Sequence, residues 1–573
     1  MTDIYNISSD YNKFTVQKLG VLYKEFRLMK TFLFTPFYKL ITAIVFLLSA
    51  PFSSFAQAEG LDEKINEAFM PIALWWESIV FTEIHIFNHG IPIVLIVLLF
   101  GATLFTFYFG FINLRKFGTA IQVVRGKYDH LDSAHNTNLS TVHSVDGDIT
   151  DTIKDEGHIG EVNHFQALAT AVSGTVGLGN ISMVAVAISI GGPGATFWMI
   201  VAGILGMSSK FVECTLGVKY RDIDEHGNVF GGPMYYLSRG LAELKKGKLG
   251  KVLSVIFAIM CIGASFGGGN AFQSNQASAQ IINQFGIEGS ASGTLLGLIF
   301  AVLVGIVIIG GIKRIAKVTE KLVPLMAVIY VAAALFIIIS NYQFVDDALR
   351  QIFTEAFSPR ATITGGFIGV MIQGFRRAAF SNEAGAGSAA IAHSAVKTSF
   401  PASEGLVALL EPFIDTVVIC TMTALVIIIF NMNGAFEYGD VINNEILINA
   451  TGERLGGVTV TSLAFESAIP GFSYVLAVAV IFFAFSTIVS WSYYGLQAWK
   501  YLFGRGKRMD LLFKLIFLTF TVLGAAVTLE AVIKFSEAMI LALVFPNMIG
   551  LFFLLPKVKE EWNKYQDAIS KTT

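Results

Sequence analysis

Between Asn163 and Pro193 the chain reads NHFQALATAVSGTVGLGNISMVAVAISIGGP. This stretch is long and apolar enough to enter a bilayer. Its middle, Ser173-Gly174-Thr175-Val176-Gly177-Leu178-Gly179-Asn180, is nevertheless a poor helix interior. Each glycine there costs about 1 kcal/mol relative to alanine. In hydrocarbon every backbone N–H and C=O needs a partner, so an unwound segment survives only where it is buried in protein or lines a cavity. By itself the stretch has two readings: a binding element built on free backbone groups, or a small-residue face that lets helices approach closely.

The rest of the chain decides between them. Its 573 residues are 54% hydrophobic, with 50 Phe and only 14% charged residues, against about 25% charged in soluble domains. Mean hydropathy is +0.64. Several apolar runs reach the ~20 residues that span a bilayer. The chain reads as an all-α polytopic membrane protein, and its net charge of −2 gives no sign of a nucleic-acid partner. Cys214, Cys261 and Cys420 sit in apolar runs without metal-site or CxxC spacing, and read as packing residues.

Residues 29–58 carry a Lys-bearing start, an apolar core and Ala56-Gln57-Ala58. That is the pattern of a secretory signal peptide cleaved after Ala58, with residues 1–28 an overlong start. A retained first membrane helix is the alternative. Residues 59–90 read as an amphipathic segment at the outer interface, marked by Trp75 and Trp76. A leading span follows at 91–113, and a polar cytoplasmic loop at 128–162. The histidines in and just after that loop (His130, His135, His143, His158, His164) read as solvated. Ten more spans are expected at about 165–190, 194–217, 252–284, 292–311, 321–340, 363–395, 404–431, 471–502, 510–528 and 534–555. Lys and Arg cluster after the first, third, fifth, ninth and eleventh spans. By the positive-inside rule the mature N-terminus lies outside and the tail, 557–573, in the cytoplasm.

Spans two to six (163–340) and seven to eleven (363–556) form two sets of opposite topology. The first member of each is interrupted. The second interruption carries Arg376-Arg377 and then Ser381-Asn382-Glu383-Ala384-Gly385-Ala386-Gly387-Ser388. Matching interruptions in two inverted halves point to the substrate site of a secondary transporter, which favours the binding reading. An intramembrane enzyme would need a nucleophile–base pair, a zinc motif or paired catalytic carboxylates in the spans, and none is apparent; a channel would need a filter loop or charged ring.

The segments GTVGLGNI (174–181), GGPMYYLSRGL (231–241), NAFQSNQAS (270–278), FSNEAGAGSAAIAHSA (380–395) and FAFSTIVSWSYYG (483–495) strongly resemble the alanine-or-glycine:cation symporter family over residues 65–556. The resemblance implies eleven transmembrane helices: one leading helix followed by a LeuT-like five-plus-five inverted repeat with two broken helices. It implies sodium-coupled uptake of alanine, glycine or similar small neutral amino acids across a bacterial inner membrane. Proton coupling, or a non-transporting sensor of the same fold, is the alternative. The chain departs from the family pattern at Gln276, where Ser is usual, and at Arg376-Arg377-Ala378-Ala379, where Ala-Arg-Gly is usual.

A zwitterion needs donors for its carboxylate and acceptors for its ammonium. Donors are expected from the broken-helix backbone at Gly177, Leu178 and Gly179, with Thr175 and Asn180 nearby. By resemblance, Gln373, Gly374 and Phe375 are the matching part of the second broken helix, Gln273 a substrate contact, and Trp491 the wall that limits side-chain size. A sodium cage is expected from Ser486 and Thr487 with carbonyls of Ala171, Val172 and Gly174. Glu383 reads as one half of a gating ion pair with Arg376 or Arg377, and Asp415 as an intramembrane carboxylate of unassigned role. Sodium and the bilayer are the implied partners, with no organic cofactor.

Overall fold

A computed structural model describes residues 60–132, 160–360 and 363–571, apart from 87–88, 310 and 364. The signal-peptide expectation and most of the 128–162 loop, including His135, His143 and His158, lie outside the described residues.

The described chain is helical. Helix α1 (Leu61–Val80) leads into a hairpin of β1 (Glu83–Ile86) and β2 (His89–Pro92), then α2 (Ile93–Tyr108). Next come α3 (His164–Thr175), α4 (Gly179–Gly191), α5 (Gly194–Lys219), α6 (Gly247–Phe285), α7 (Ser292–Ile308) and α8 (Gly311–Ser340). The chain continues through α9 (Val345–Phe357), α10 (Gly366–Asn382), α11 (Ala389–His393) and α12 (Pro401–Asn433). It closes with α13 (Val458–Ala468), α14 (Phe472–Phe503), α15 (Lys507–Ala526) and α16 (Leu529–Ser570). Among the described residues seven helices are long and apolar enough to cross a membrane, or eight when α3 and α4 count as one span bent by 49°. α2 and α7 are shorter apolar helices. This is a multi-pass membrane protein.

Several boundaries differ from the hydropathy reading. α8 begins at Gly311 and α16 runs on to Ser570, because hydropathy marks where a helix stops being apolar rather than where it stops being helical. α9 and α13 were not foreseen. α9 is amphipathic and packs Phe353 and Phe357 edge-on against Phe197 of α5, with centroids 5.8 and 5.2 Å apart. His164 is not solvated but buried.

α3 starts at a capping box: Gln166 N donates to Asn163 Oδ1 at 2.8 Å, and Asn163 N to Gln166 Oε1 at 3.2 Å. It ends at Val176, whose ψ of 86° leaves the helix. Among the described residues four π-helical turns interrupt the bundle: Gly179–Met183, Tyr236–Gly240, Gly267–Ala271 and Phe413–Cys420. Such turns are rare and concentrate at functional sites.

Candidate functional site

The breaks in α3–α4 and α10–α11 meet inside the bundle. Gly179 faces Phe380 and Ser381: a Cβ on it would lie 3.6 Å from the Phe380 ring and 3.8 Å from Ser381 Cα. Asp415, in the π turn of α12, ties the two breaks together. Its carboxylate accepts from Asn180 Nδ2 at 2.6 Å, Ser381 Oγ at 2.9 Å and Thr416 Oγ1 at 2.7 Å. Asp415 and Asn180 have no exposed surface.

The unwound segment is satisfied by side chains. Leu178 N donates to Gln273 Oε1 at 2.9 Å, and Gly177 N to Asn180 Oδ1 at 3.0 Å. Gln273 Nε2 donates onward to Gly268 O at 3.0 Å. Thr175 Oγ1 turns back to Ala171 O at 3.3 Å. A Cβ at Gly177 would sit 2.5 Å from Thr487 Oγ1 and 3.0 Å from Gln273 Oε1, so only glycine fits there. Of the polar residues on α6, Gln273 turns to the break, and Gln276 Oε1 accepts from Ser182 Oγ, in the π turn just beyond it, at 2.6 Å. Asn270, Ser274 and Asn275 hydrogen-bond to backbone carbonyls of α15 and the residue that follows it, Phe517, Thr521, Gly524 and Val527, at 2.6–3.0 Å.

On the other side of the break a row of hydroxyls joins α3 to α14. Thr487 Oγ1 donates to Ser173 O at 2.9 Å, Ser173 Oγ to Ser486 O at 2.9 Å, and Ser490 Oγ to Ser173 Oγ at 3.0 Å. The Ser486 hydroxyl turns away, to Phe483 O at 3.0 Å and Met326 Sδ at 3.8 Å. Adjacent helical residues point about 100° apart, and here the Thr487 hydroxyl is the one turned to α3. The oxygens gathered here are the hydroxyl and carbonyl of Ser173, the Ser486 carbonyl and the hydroxyls of Thr487 and Ser490. Val176 N already bonds Val172 O at 2.6 Å. Trp491 Nε1 donates to Gly174 O at 3.2 Å, and its indole lies so close to Gly269 that a Cβ there would be 2.1 Å from Trp491 Cγ.

Three expected residues stand elsewhere. Gln373, Gly374 and Phe375 lie about two turns, or about 10 Å, along α10 from Phe380 and Ser381. Gln373 packs on Gly191 and lines a cleft of about 450 Å³ with Glu77, Phe81 and Arg376, while Phe375 stacks on Trp198 at 5.6 Å. The arginines also have other partners than Glu383. Arg376 Nε donates to Glu537 Oε2 at 2.6 Å, its guanidinium lies 4.1 Å over Phe81, and Arg377 pairs with the other oxygen of Glu537. Glu383 accepts instead from the Ser388 hydroxyl. The sequence reading does not anticipate Ser173, Ser381, Ser490 or Glu537. Ser490 carried a signal, standing one helical turn from Thr487.

Two interrupted helices whose backbone and polar side chains converge inside a bundle of apolar helices are the arrangement of a membrane transporter. The family described as the sodium:alanine symporter family matches residues 75–573, and the chain belongs to it. The sodium/alanine symporter AgcS of Methanococcus maripaludis is 38% identical over 416 residues, covering 72% of this chain and 86% of that protein. The probable sodium/glutamine symporter GlnT of Bacillus subtilis is 33% identical over 394 residues, covering 69% of this chain and 76% of that one. Among solved structures, MhsT in complex with L-phenylalanine overlaps 70% of this chain and 99% of its own, with a TM-score of 0.43 and 15% identity.

Proposed function

We propose that the chain carries a small neutral amino acid, alanine or glycine, together with sodium into the cell by alternating access. The carrying observation is the junction of the two helix breaks at Asp415, in a member of a symporter family. In this reading the helices form a leading span and a five-plus-five inverted repeat, eleven spans in all, with the basic loops in the cytoplasm.

The substrate carboxylate is met by the N–H groups of Gly177, Leu178 and Gly179, with Thr175, Asn180 and Gln273 exchanging their present bonds for bonds to the ligand. Asp415 is the negative pole that a monovalent cation, sodium or the substrate ammonium, neutralises. Sodium is held by hard oxygens of Thr487 and Ser173 with the carbonyls of Ala171, Val172 and Gly174. Trp491, wedged against Gly269, bounds the space beside the break, which supports a small side chain rather than the glutamine named for one relative.

Proteoliposomes holding the purified full chain should accumulate labelled alanine or glycine when sodium is higher outside, and should stop when sodium is replaced by choline. Accumulation that ignores sodium would discard the coupling; none under any cation gradient would discard transport.

Gly177→Ala is expected to cut that uptake about 100-fold, since a misplacement near 1 Å at a binding centre costs that much. The added methyl drives Thr487 and Gln273 off the break. Gly506→Ala, where a Cβ meets nothing within 4 Å, should leave uptake unchanged. Equal uptake by the two variants would remove Gly177 from the site.

A further inference from the structure

A second polar cluster lies beside the α10–α11 break, where Asn547 Nδ2 donates to both Gly385 O and Glu213 at 2.9 Å. His164, the first residue of α3, pairs with Glu404 of α12. His393, the last residue of α11, reaches the other oxygen of that carboxylate through Nδ1 at 2.5 Å. Its Nε2 lies 3.7 Å from Glu411 Oε2. Glu411 Oε1 accepts from Lys210 Nζ at 3.1 Å. One turn along α5, Glu213 accepts from Asn547 Nδ2 at 2.9 Å. Lys210, Glu213, His393, Glu404 and Glu411 are all 0% exposed.

The hydrogen bonds are incomplete. His393 Nε2, Glu411 Oε2 and Glu213 Oε2 have no partner within hydrogen-bond distance among the described residues. The charges also fail to balance without protons. Three carboxylates, Glu213, Glu404 and Glu411, face one ammonium, Lys210. With all three carboxylates ionised, the cluster is neutral when both imidazoles are protonated, and net buried charge is costly. His393 has already directed Nδ1 at Glu404, so its second proton belongs on Nε2, aimed at Glu411.

The surroundings do not supply the missing charge. Glu383 and Arg221 add one charge of each sign. Cys214, Tyr236 and Tyr494 face the cluster as neutral groups. Asp132 and Asp129 approach His164 from the more open side.

The cluster holds a mechanical part. α3 is the half-helix ahead of the first break, and His164 is its first residue. Glu404 is clasped by His164 from α3 and by His393 from α11, and beside it Lys397 N donates to Val162 O at 2.8 Å. We propose that this cluster is a proton-binding latch: with both imidazoles protonated it clamps the start of α3 to α11 and α12, and loss of the proton from His393 Nε2 releases it. The inference rests on this geometry and not on sodium-coupled transport.

Hydrogen–deuterium exchange of the purified full chain, without sodium or amino acid, tests it. Rates for residues 163–175 are compared at about pD 6 and about pD 8.5, the range over which histidine titrates, after correction for intrinsic exchange. Wild-type protection of this segment should fall about tenfold or more at the higher pD, while residues 472–503 hold theirs. His393→Gln should expose the segment at both values. Glu213→Gln, which removes one carboxylate, should keep it protected at the higher value, because the cluster then stays neutral with the more open His164 deprotonated and His393 still holding its Nε2 proton.

Protection that does not change with pD in the wild type, or a wild-type response in His393→Gln, overturns the latch. Should His393→Gln fail to fold, His164→Gln, at the less buried end, is read in the same way. Uptake measured in parallel separates the two readings. Absent uptake with the exchange pattern intact sinks transport alone; normal uptake with exchange independent of pD sinks the latch alone.

Discussion

Asp415→Asn is expected to lower sodium-driven alanine uptake at least about 100-fold while the protein stays folded. The side chain keeps its size and loses its charge. In the wild type that carboxyl group is wholly buried and is hydrogen-bonded to three neutral groups, Asn180, Ser381 and Thr416. Hydrogen bonds to a charged acceptor contribute about 1.5–3 kcal/mol each, yet none of these donors neutralises it. A buried charge without a counter-charge costs several kcal/mol, so a cation arriving at this junction gains that much. Each 1.36 kcal/mol lost is tenfold in rate, and asparagine forfeits two or more such steps. Its amide also points an N–H at one of the present donors. The readout is initial uptake in proteoliposomes alongside thermal unfolding of the same preparation. Uptake within about threefold of wild type at unchanged stability would show that Asp415 carries nothing.

The second large effect is on stability. Glu537→Gln should destabilise the protein by about 3–5 kcal/mol, the usual cost of removing one partner from a buried ion pair. Glu537 has no exposed surface and serves two guanidiniums, those of Arg376 and Arg377. Without it Arg377, 3% exposed, loses its carboxylate partner, whereas Arg376 retains Glu77 at 3.3 Å and the face of Phe81. Adding Arg377→Met to Glu537→Gln should therefore recover part of the loss, and a thermal-shift comparison of the single and double variants reads this. A double variant as unstable as the sum of its parts would mean that the two groups do not interact.

How much of this was legible in the chain follows from what local pattern encodes. Apolar runs reveal spans, because the bilayer imposes a length on them. They do not reveal α9 or α13, which never cross. The glycines of 174–179 announced a break, because no helix interior favours three of them. The position of its partner along α10 was not legible: Gln373 and Ser381 lie on one continuous helix, and only packing against α4 selects the stretch that faces the break. Pairings across long separations were hidden for the same reason. Nothing local ties Arg376 to Glu537, or His164 to Glu404. Lys210 and Glu213, one turn apart in an otherwise apolar span, with His393, Glu404 and Glu411 in two other spans, were the visible signs of the buried cluster.

A π turn holds one residue more than an α turn, about 100° of helical phase. Glu411 and Asp415 are four positions apart and in an unbroken α-helix would share one stripe. The π turn from Phe413 to Cys420 begins between them and contains Asp415, and they serve different neighbours: Glu411 meets Lys210, and Asp415 meets Asn180 and Ser381. Beyond the turn Thr423 reaches Tyr330 of α8 at 2.7 Å. The extra residue acts as a phase shifter: it lets one helix address three partners in different directions. The number of residues in each turn of α12, as much as any side chain on it, keeps the Asp415 carboxyl at the helix junction directed apart from Glu411 one turn away.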